Sequence, residues 1–484
     1  MNRGVLADSG HQQIIQLLDN APLRRQHIWV WALASGGTLV DGFSVFMLGI
    51  ALPLLSNALS LTAVQSGLLG AALVAGAAFG AALGGRLGDR LGRKMVFLLD
   101  MALLMPAALI SALIENALGL LIAQAVVGVA IGMDFPVSGS YIAECMPHRQ
   151  RSRMMVATIA SQSAGMLLAA ALSLVLLEVV TYATVWRWFF GAEAVVAAIF
   201  LLARLSLPES PRWLMGQGRN QDAVHMLQRL IPTDSQELTD IAARLGQTAH
   251  FSARVPQPAG SLSVMTLFHP AYRRRTLLSA LPWFLMDFAT YGVGLFTAVL
   301  LAAMHFDATA TSPVAHTMAL VRGSGAIDFF LLLGFLLGMW AVHRYGRIRM
   351  QLVGFAGMAA GMGILLLSAL LAGGASEHVV LVVLGFTIFN LFMNMGPNST
   401  TYILPAELFP TQLRATAAGF AAASAKVGAT LGVLTLPLIK TDFGVPAVLM
   451  LVLLVSILGL VSTWFFRVEG HGLTLEEHQS AAIA

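Results

Sequence analysis

The chain has 484 residues, of which 57% are hydrophobic and only 11% charged, where soluble domains carry roughly 25% charged residues. With a mean hydropathy of +0.78, it has too few charges to cover a water-facing surface. A net charge of +4 without a long basic helix argues against nucleic-acid binding, despite a pI near 9.5. Uninterrupted apolar runs argue against an outer-membrane barrel, whose strands alternate.

The opening MNRGVLADSGHQQ is polar and lacks an apolar core before a small-residue cleavage site, so the first membrane helix is expected to be the targeting signal. Runs of about 20 mostly apolar residues then follow at 28–55, 64–85, 95–114, 117–143, 154–178, 184–207, 275–303, 320–343, 349–371, 378–404, 413–439 and 445–467. The expected fold is all-α: twelve transmembrane helices in two pseudo-symmetric six-helix bundles, 1–207 and 275–484, joined by a polar linker at 208–274. The single cysteine, Cys145, cannot form an internal disulfide.

Basic residues fall on one side. Arg24 and Arg25 precede helix 1; Arg86, Arg90, Arg93 and Lys94 separate helices 2 and 3; Arg149, Arg151 and Arg153 follow helix 4. The linker region holds Arg212, Arg219, Arg229, Arg244, Arg254 and Arg273 to Arg275, and Arg344, Arg347 and Arg349 follow helix 8. Lys440 is the exception on the other side. This asymmetry predicts a multi-pass cell-membrane protein with both termini and the linker cytoplasmic.

The chain also repeats itself. E-x-x-P-x-x-x-R occurs as Glu144, Pro147, Arg151 after helix 4 and as Glu407, Pro410, Arg414 after helix 10; Gly92-Arg93 returns as Gly346-Arg347. Two related halves around a central site suit an alternating-access transporter.

Between helices 2 and 3, GGRLGDRLGRK runs from Gly84 to Lys94. Gly84, Gly85 and Gly88 permit close helix approach, Gly92 suits a turn, and Asp89 is able to accept bonds from arginines or a helix N-terminus. No strand precedes the glycines, which argues against a nucleotide loop. The string resembles the signature loop of the major facilitator superfamily. PESPRWL at Pro208 to Leu214 and PAELFPTQLRA at Pro405 to Ala415 resemble its sugar-porter branch. The resemblance implies a cytoplasmic gate built from Asp89, Arg90, Arg93, Glu144, Arg151, Glu407 and Arg414. Two departures stand out: His343 where the second copy of the loop usually has Asp, and Arg467-Val-Glu469-Gly in place of Pro-Glu-Thr.

Ionisable groups inside a bilayer are costly and usually face the bundle interior. Asp41, Asp134, Asp287 and Lys426, one of only three lysines, stand out in helices 1, 4, 7 and 11. In helix 7, Trp283, Asp287 and Tyr291 recur every four residues and share one stripe. Gln162 and Asn398 add amides on helices 5 and 10. Lys426, Trp283, Tyr291, Gln162 and Asn398 are donors fit for an oxyanion. Asp287 suits a protonated oxygen of dihydrogen phosphate, which sulfate lacks. Asp41 and Asp134 are candidates for proton coupling, because desolvation favours a neutral carboxyl. Asp328 and Glu193, also within spans, suggest no role beyond interior packing.

The set resembles the phosphate:proton symporters. Their helix 4 signature matches Met133 to Ser138, their helix 7 pattern Trp283, Phe284, Asp287 and Tyr291, their helix 10 run Gly396 to Thr401, and their helix 11 lysine Lys426. The resemblance implies that Gln162, Trp283, Asp287, Tyr291 and Asn398 contact phosphate and that Asp41 and Asp134 transfer protons. Phe135 departs from it, standing where that family has a substrate-binding tyrosine. The expected function is proton-coupled symport of a small anion, foremost inorganic phosphate. An organic acid or sugar carrier and a non-transporting nutrient sensor are the alternatives. The partners are then a small anion, protons and the lipid bilayer, with a monomer sufficient. No enzyme motif, cofactor site or metal-ligand spacing is read.

Overall fold

The computed structural model describes residues 13–231, 264–303, 312–371 and 377–468, excepting the side chains of 63, 64, 292–303, 326–328, 379 and 437. Arg244, Arg254, Glu469 and the Asp328 side chain lie outside the described residues. The described chain is helical except for turns and short links. The spanning helices are α1 (Arg25–Ala58), α2 (Ala63–Leu91), α3 (Arg93–Leu113), α4 (Ala117–Cys145), α5 (His148–Val179) and α6 (Val185–Arg204). They continue as α7 (Pro270–Ala303), α8 (Pro313–Tyr345), α9 (Arg347–Leu370), α10 (Val380–Leu408), α11 (Thr411–Leu436) and α12 (Leu438–Phe466). Eleven of these are long and apolar enough to cross a membrane among the described residues; α7, at 34 residues, is the twelfth. Large apolar side chains such as Phe79, Leu113, Trp188, Phe329 and Phe465 point outward, 58–69% exposed, as a lipid-facing surface requires.

Helix ends run past the apolar windows because polar residues continue the helix outside the hydrocarbon. Helix α5 starts at His148, six residues before its apolar run. The run Thr411–Phe466 has 56 residues, about 84 Å if straight at 1.5 Å per residue, far beyond a hydrocarbon core of about 30 Å. Its backbone breaks at Gly444, φ 80°, a left-handed value that favours glycine.

Other irregularities lie along the bundle interior. Helix α1 has an irregular turn at Ser35, between Arg25–Ala34 and Gly36–Ala58, with the ladder bonds from Ser35 N to Trp31 O and from Leu39 N to Ser35 O kept. Helix α10, expected as one span, breaks at Gly396 into Val379–Met395 and Pro397–Leu408. Pro136 lies inside α4 and Pro282 inside α7, each removing one ladder bond. Asp41, Asp134, Trp283 and Asn398 all lie within six residues of such a point. Irregular membrane helices are tolerated where they line a protein interior or cavity.

The halves meet along α2 against α11 and α5 against α8, pairs that the six-helix repeat maps onto each other. Glycines set the distance. A Cβ on Gly76, Gly80 or Gly84 would strike the α4 backbone, and one on Gly85 would strike Ala415 O and Gly419 Cα of α11. The glycines expected to allow close approach thus serve two partners, one within the half and one across it.

Candidate functional site: a cavity between the halves and the bonds that close one end

The basic loops share one end of the molecule, called here the basic end. There Asp89 accepts bonds from the backbone N–H groups of Ala415 (3.2 Å) and Thr416 (2.7 Å) near the start of α11. Arg93 bonds Asp89 at 3.1 Å and Glu144 at 2.8 Å, and Arg414 reaches the same Glu144 oxygen at 2.9 Å across the halves. Arg93, Glu144 and Arg414 are fully buried, so each charge depends on its partners.

The repeat is visible in atoms. Gly92 and Gly346 have matching backbones (φ 97°, ψ 161° and φ 90°, ψ 163°), and the arginine after each meets the glutamate of its own half. Arg93 takes Glu144, and Arg347 takes Glu407 in a two-point contact at 2.7 and 2.9 Å. Arg347 also crosses to Ser152 Oγ at 2.7 Å. His343, half-buried, occupies the place equivalent to Asp89.

Two of the expected gate residues lie elsewhere. Arg151 does not mirror Arg414: it binds Asp19 at 2.6 Å, as does Arg212 at 2.7 Å, so it ties the N-terminal segment and the linker to α5. Arg90 is exposed. The PESPRWL segment clips the same end. Ser210 caps the short helix Pro211–Gly216, and Trp213 Nε1 donates to Asp89 O at 3.0 Å. Glu209 accepts the N–H groups of Arg93 and Lys94 at the start of α3. Burial raises the Glu209 carboxyl above its ordinary pKa, and the bonds from Ser210 and Arg93 oppose that shift.

Above this closed end is a cavity of about 200 Å³ lined by both halves. Phe135, Gln162, Trp283, Asp287, Tyr291, Asn398 and Lys426, the seven residues singled out as a binding set, all line it. Lys426 Nζ lies 3.1 Å from Tyr291 OH and 3.6 Å from Asp287 Oδ2, an oxygen without a hydrogen-bond partner among the described residues. The ammonium also sits 5.1 Å from the centre of the Phe135 ring. Asn398 donates to Asn394 Oδ1 at 2.8 Å, and Asn394 donates to Asn390 O, a ladder of amides every four residues. Asn394, Met286 and Met393 also line the cavity and were not singled out. The Asn390, Asn394, Asn398 spacing was the available signal.

Asp41 and Asp134 stand behind this wall. Asp41 accepts from Gln162 Nε2 at 2.7 Å. Asp134 pairs with Arg204 at 2.7 Å, and Arg204 also holds Asp100 at 3.0 Å. Asp134 thus has a counter-charge of its own in Arg204. Glu193 meets the Ser44 hydroxyl. Phe135, Trp283 and Tyr402 form an aromatic cluster, with centroids 5.9–6.4 Å apart, between cavity and basic end. Tyr402 OH and Ser138 Oγ join the halves there at 3.0 Å. At the opposite end a larger opening of about 680 Å³ lies among α1, α8 and Tyr182, which reaches Thr317 at 3.2 Å.

The family model for sugar (and other) transporters matches residues 30–482. The inner membrane metabolite transport protein YgcS of Escherichia coli is 27% identical over 468 residues, 95% of each chain. The repressible high-affinity phosphate permease of Neurospora crassa is 28% identical over 466 residues, 86% of this chain and 78% of that one. Among solved structures, the proton:xylose symporter XylE of the major facilitator superfamily, bound to 6-bromo-6-deoxy-D-glucose, superposes with a TM-score of 0.78 at 20% identity, covering 94% of this chain and 98% of that one. With a family match over nearly its whole length, the chain belongs to the sugar (and other) transporter family, a family of membrane transporters and not of enzymes, and its two six-helix halves around one cavity share the fold of the major facilitator superfamily symporter.

Proposed function

We propose that this transporter is a proton-coupled symporter of a small anion, with inorganic phosphate the substrate its polar residues fit best. The observation that carries the reading is the convergence of Lys426, Tyr291, Trp283, Gln162 and Asn398 on one cavity with Asp287 among them. Five donors and one acceptor suit an oxyanion that still holds a proton, the acceptor taking the P–OH hydrogen. Asp41 and Asp134 carry the coupled proton in this reading, and the phosphate permeases among the relatives support it. The basic end is cytoplasmic, with both termini there; the linker is 208–274; the cluster around Glu144 and Arg414 is the cytoplasmic gate. One chain suffices for the cycle.

A second reading follows from the rest of the wall. Val45, Ile159, Met166, Met286, Phe335 and Met393 also line the cavity of about 200 Å³. An oxyanion of five heavy atoms takes the room of two or three waters, at about 30 Å³ each. An organic acid would place its carboxylate at Lys426 and its apolar part on the methionines. The metabolite transport relative supports this reading.

Uptake of labelled phosphate into proteoliposomes, with and without an inward proton gradient, separates the two. Gradient-stimulated uptake that Asp287→Asn abolishes, and that sulfate fails to compete, is expected. Absent phosphate uptake in folded protein refutes phosphate and directs the assay to carboxylates. Equal competition by sulfate refutes the role given to Asp287.

A further inference from the structure

Arg204 ends α6 with 0% exposure, and its donors are divided among three other helices. Nε donates to Leu33 O (3.0 Å) and Nη2 to Ala34 O (3.1 Å), the last carbonyls of the first segment of α1, just before its irregular turn at Ser35. Nη1 takes Asp100 and Phe97 O on α3, and Nη2 takes Asp134 on α4 at 2.7 Å. Arg204 thus gives two carbonyls at the irregular turn of α1 a donor from another helix. Helix α1 touches Asp134 again beyond that turn, where a Cβ on Gly37 would land on the Asp134 carboxylate. Asp41 lies one turn further along.

Two buried carboxylates therefore share one guanidinium that also binds two carbonyls of α1 beside its irregular turn. Asp134 Oδ2 has no hydrogen-bond partner among the described residues, which makes it the oxygen open to a proton. The charged and titratable groups facing Asp134 are Arg204 from α6, Asp100 from α3, Asp41 from α1 and Tyr402 from α10.

We propose that Arg204 is a positioning residue for proton coupling, transmitting the charge of Asp134 to the irregular turn in α1, with Asp100 as the counter-charge that retains Arg204 when Asp134 is neutral. The inference rests on the reading of Asp134 as a proton carrier. The proton adds to Oδ2, Arg204 keeps its charge, and the Nη2 contact weakens. The carbonyls of Leu33 and Ala34 then lose a firmly held donor, and α1 is free to bend at Ser35. Asp100 keeps the guanidinium from being stranded without a counter-charge, which would be far costlier.

The test is an infrared pH titration of the full chain in liposomes, following the C=O band of neutral carboxylic acids. The band lost in Asp134→Asn marks Asp134. In Asp100→Asn its midpoint is expected to fall by about one pH unit or more, because a neighbouring negative charge that favours the protonated form is gone; Asp100→Glu restores it. Hydrogen exchange of the peptide from Trp31 to Leu39 is expected to rise as pH falls, with the Asp134 midpoint. An unmoved midpoint in folded Asp100→Asn overturns the proposal, as does exchange that ignores the midpoint. If Asp100→Asn does not fold, Arg204→Lys takes its place: a rise in midpoint with fast exchange at every pH supports the proposal, and wild-type behaviour overturns it. If Asp134→Asn removes no titrating band, the proton-carrier reading itself falls, which is a distinct result.

Discussion

Gly85→Ala tests how the basic end stays closed. Its added Cβ would meet Ala415 O and Gly419 Cα, both backbone atoms of α11, so no side chain is able to rotate away and the helices must part. Overpacking of this kind costs about 1–3 kcal/mol, but only while α2 and α11 are in contact. In the state open at the basic end the cost disappears, so the open-to-closed ratio should rise roughly 5- to 150-fold. Gly80→Ala is the control: its Cβ would meet Val129 O of α4, a contact inside one half that both states keep. Spin labels at Leu91→Cys and Arg349→Cys, both exposed at the basic end, measure the separation by electron–electron resonance; the native Cys145 is buried. The Gly85 variant should gain a longer-distance population and the Gly80 variant should not. Identical distance distributions in folded Gly85→Ala and wild type would refute the reasoning, as would the same shift in both variants.

Two other outcomes follow from the site. Arg93→Ala removes bonds to Asp89, Glu144 and the Gly88 and Thr411 carbonyls and should destabilise the fold by about 3–5 kcal/mol. Exposed Arg90→Ala should stay within about 0.5 kcal/mol of wild type; thermal unfolding in detergent that does not separate the two variants contradicts the buried network. Phe135→Tyr places a hydroxyl on a ring whose centre is 5.1 Å from Lys426 Nζ. One added hydrogen bond, about 0.5–1.5 kcal/mol, should lower the KM for phosphate roughly 2- to 12-fold; an unchanged or raised KM favours the organic-acid reading.

The spans were legible because twenty apolar residues cannot hide in a small soluble core, and the binding set because ionisable groups rarely enter such runs. Asp287 and Lys426 stand out by that rule, the amides and aromatics by their helical spacing and the family resemblance, and all seven line one cavity. What escaped the sequence was pairing. Asp100 obeys the rule that picked out Asp41, yet it lies about two turns into α3 behind Arg93 and Lys94. Arg204, at a helix end, resembles an ordinary topology charge. Only the tertiary fold brings these two together on Asp134. The repeat predicted equivalent glutamates and arginines, and Arg93–Glu144 and Arg347–Glu407 follow it. It did not predict that Arg414 crosses to Glu144 while its counterpart Arg151 turns to Asp19, because the N-terminal segment has no copy in the second half. The break in α10 had a signal in Gly396-Pro397; the irregular turn at Ser35 had none as strong.

The buried ionisable residues along the bundle interior have an electrical consequence. Asp100 and Asp134 share Arg204, Asp287 lies 3.6 Å from Lys426, and Asp41 takes the Gln162 amide, so with every group charged these six residues hold two negative charges more than positive ones, setting aside Glu193 on its Ser44 hydroxyl. A charge crossing the whole membrane field exchanges about 2.3 kcal/mol per 100 mV, and a carrier that reorients moves its buried charges through part of that field. Under the proposed proton symport, with the basic end cytoplasmic, a membrane negative on that side would pull the empty carrier back toward the outside, and loading with protons would cancel the excess. In that cycle the voltage would drive the return stroke, and the proton gradient the loaded one.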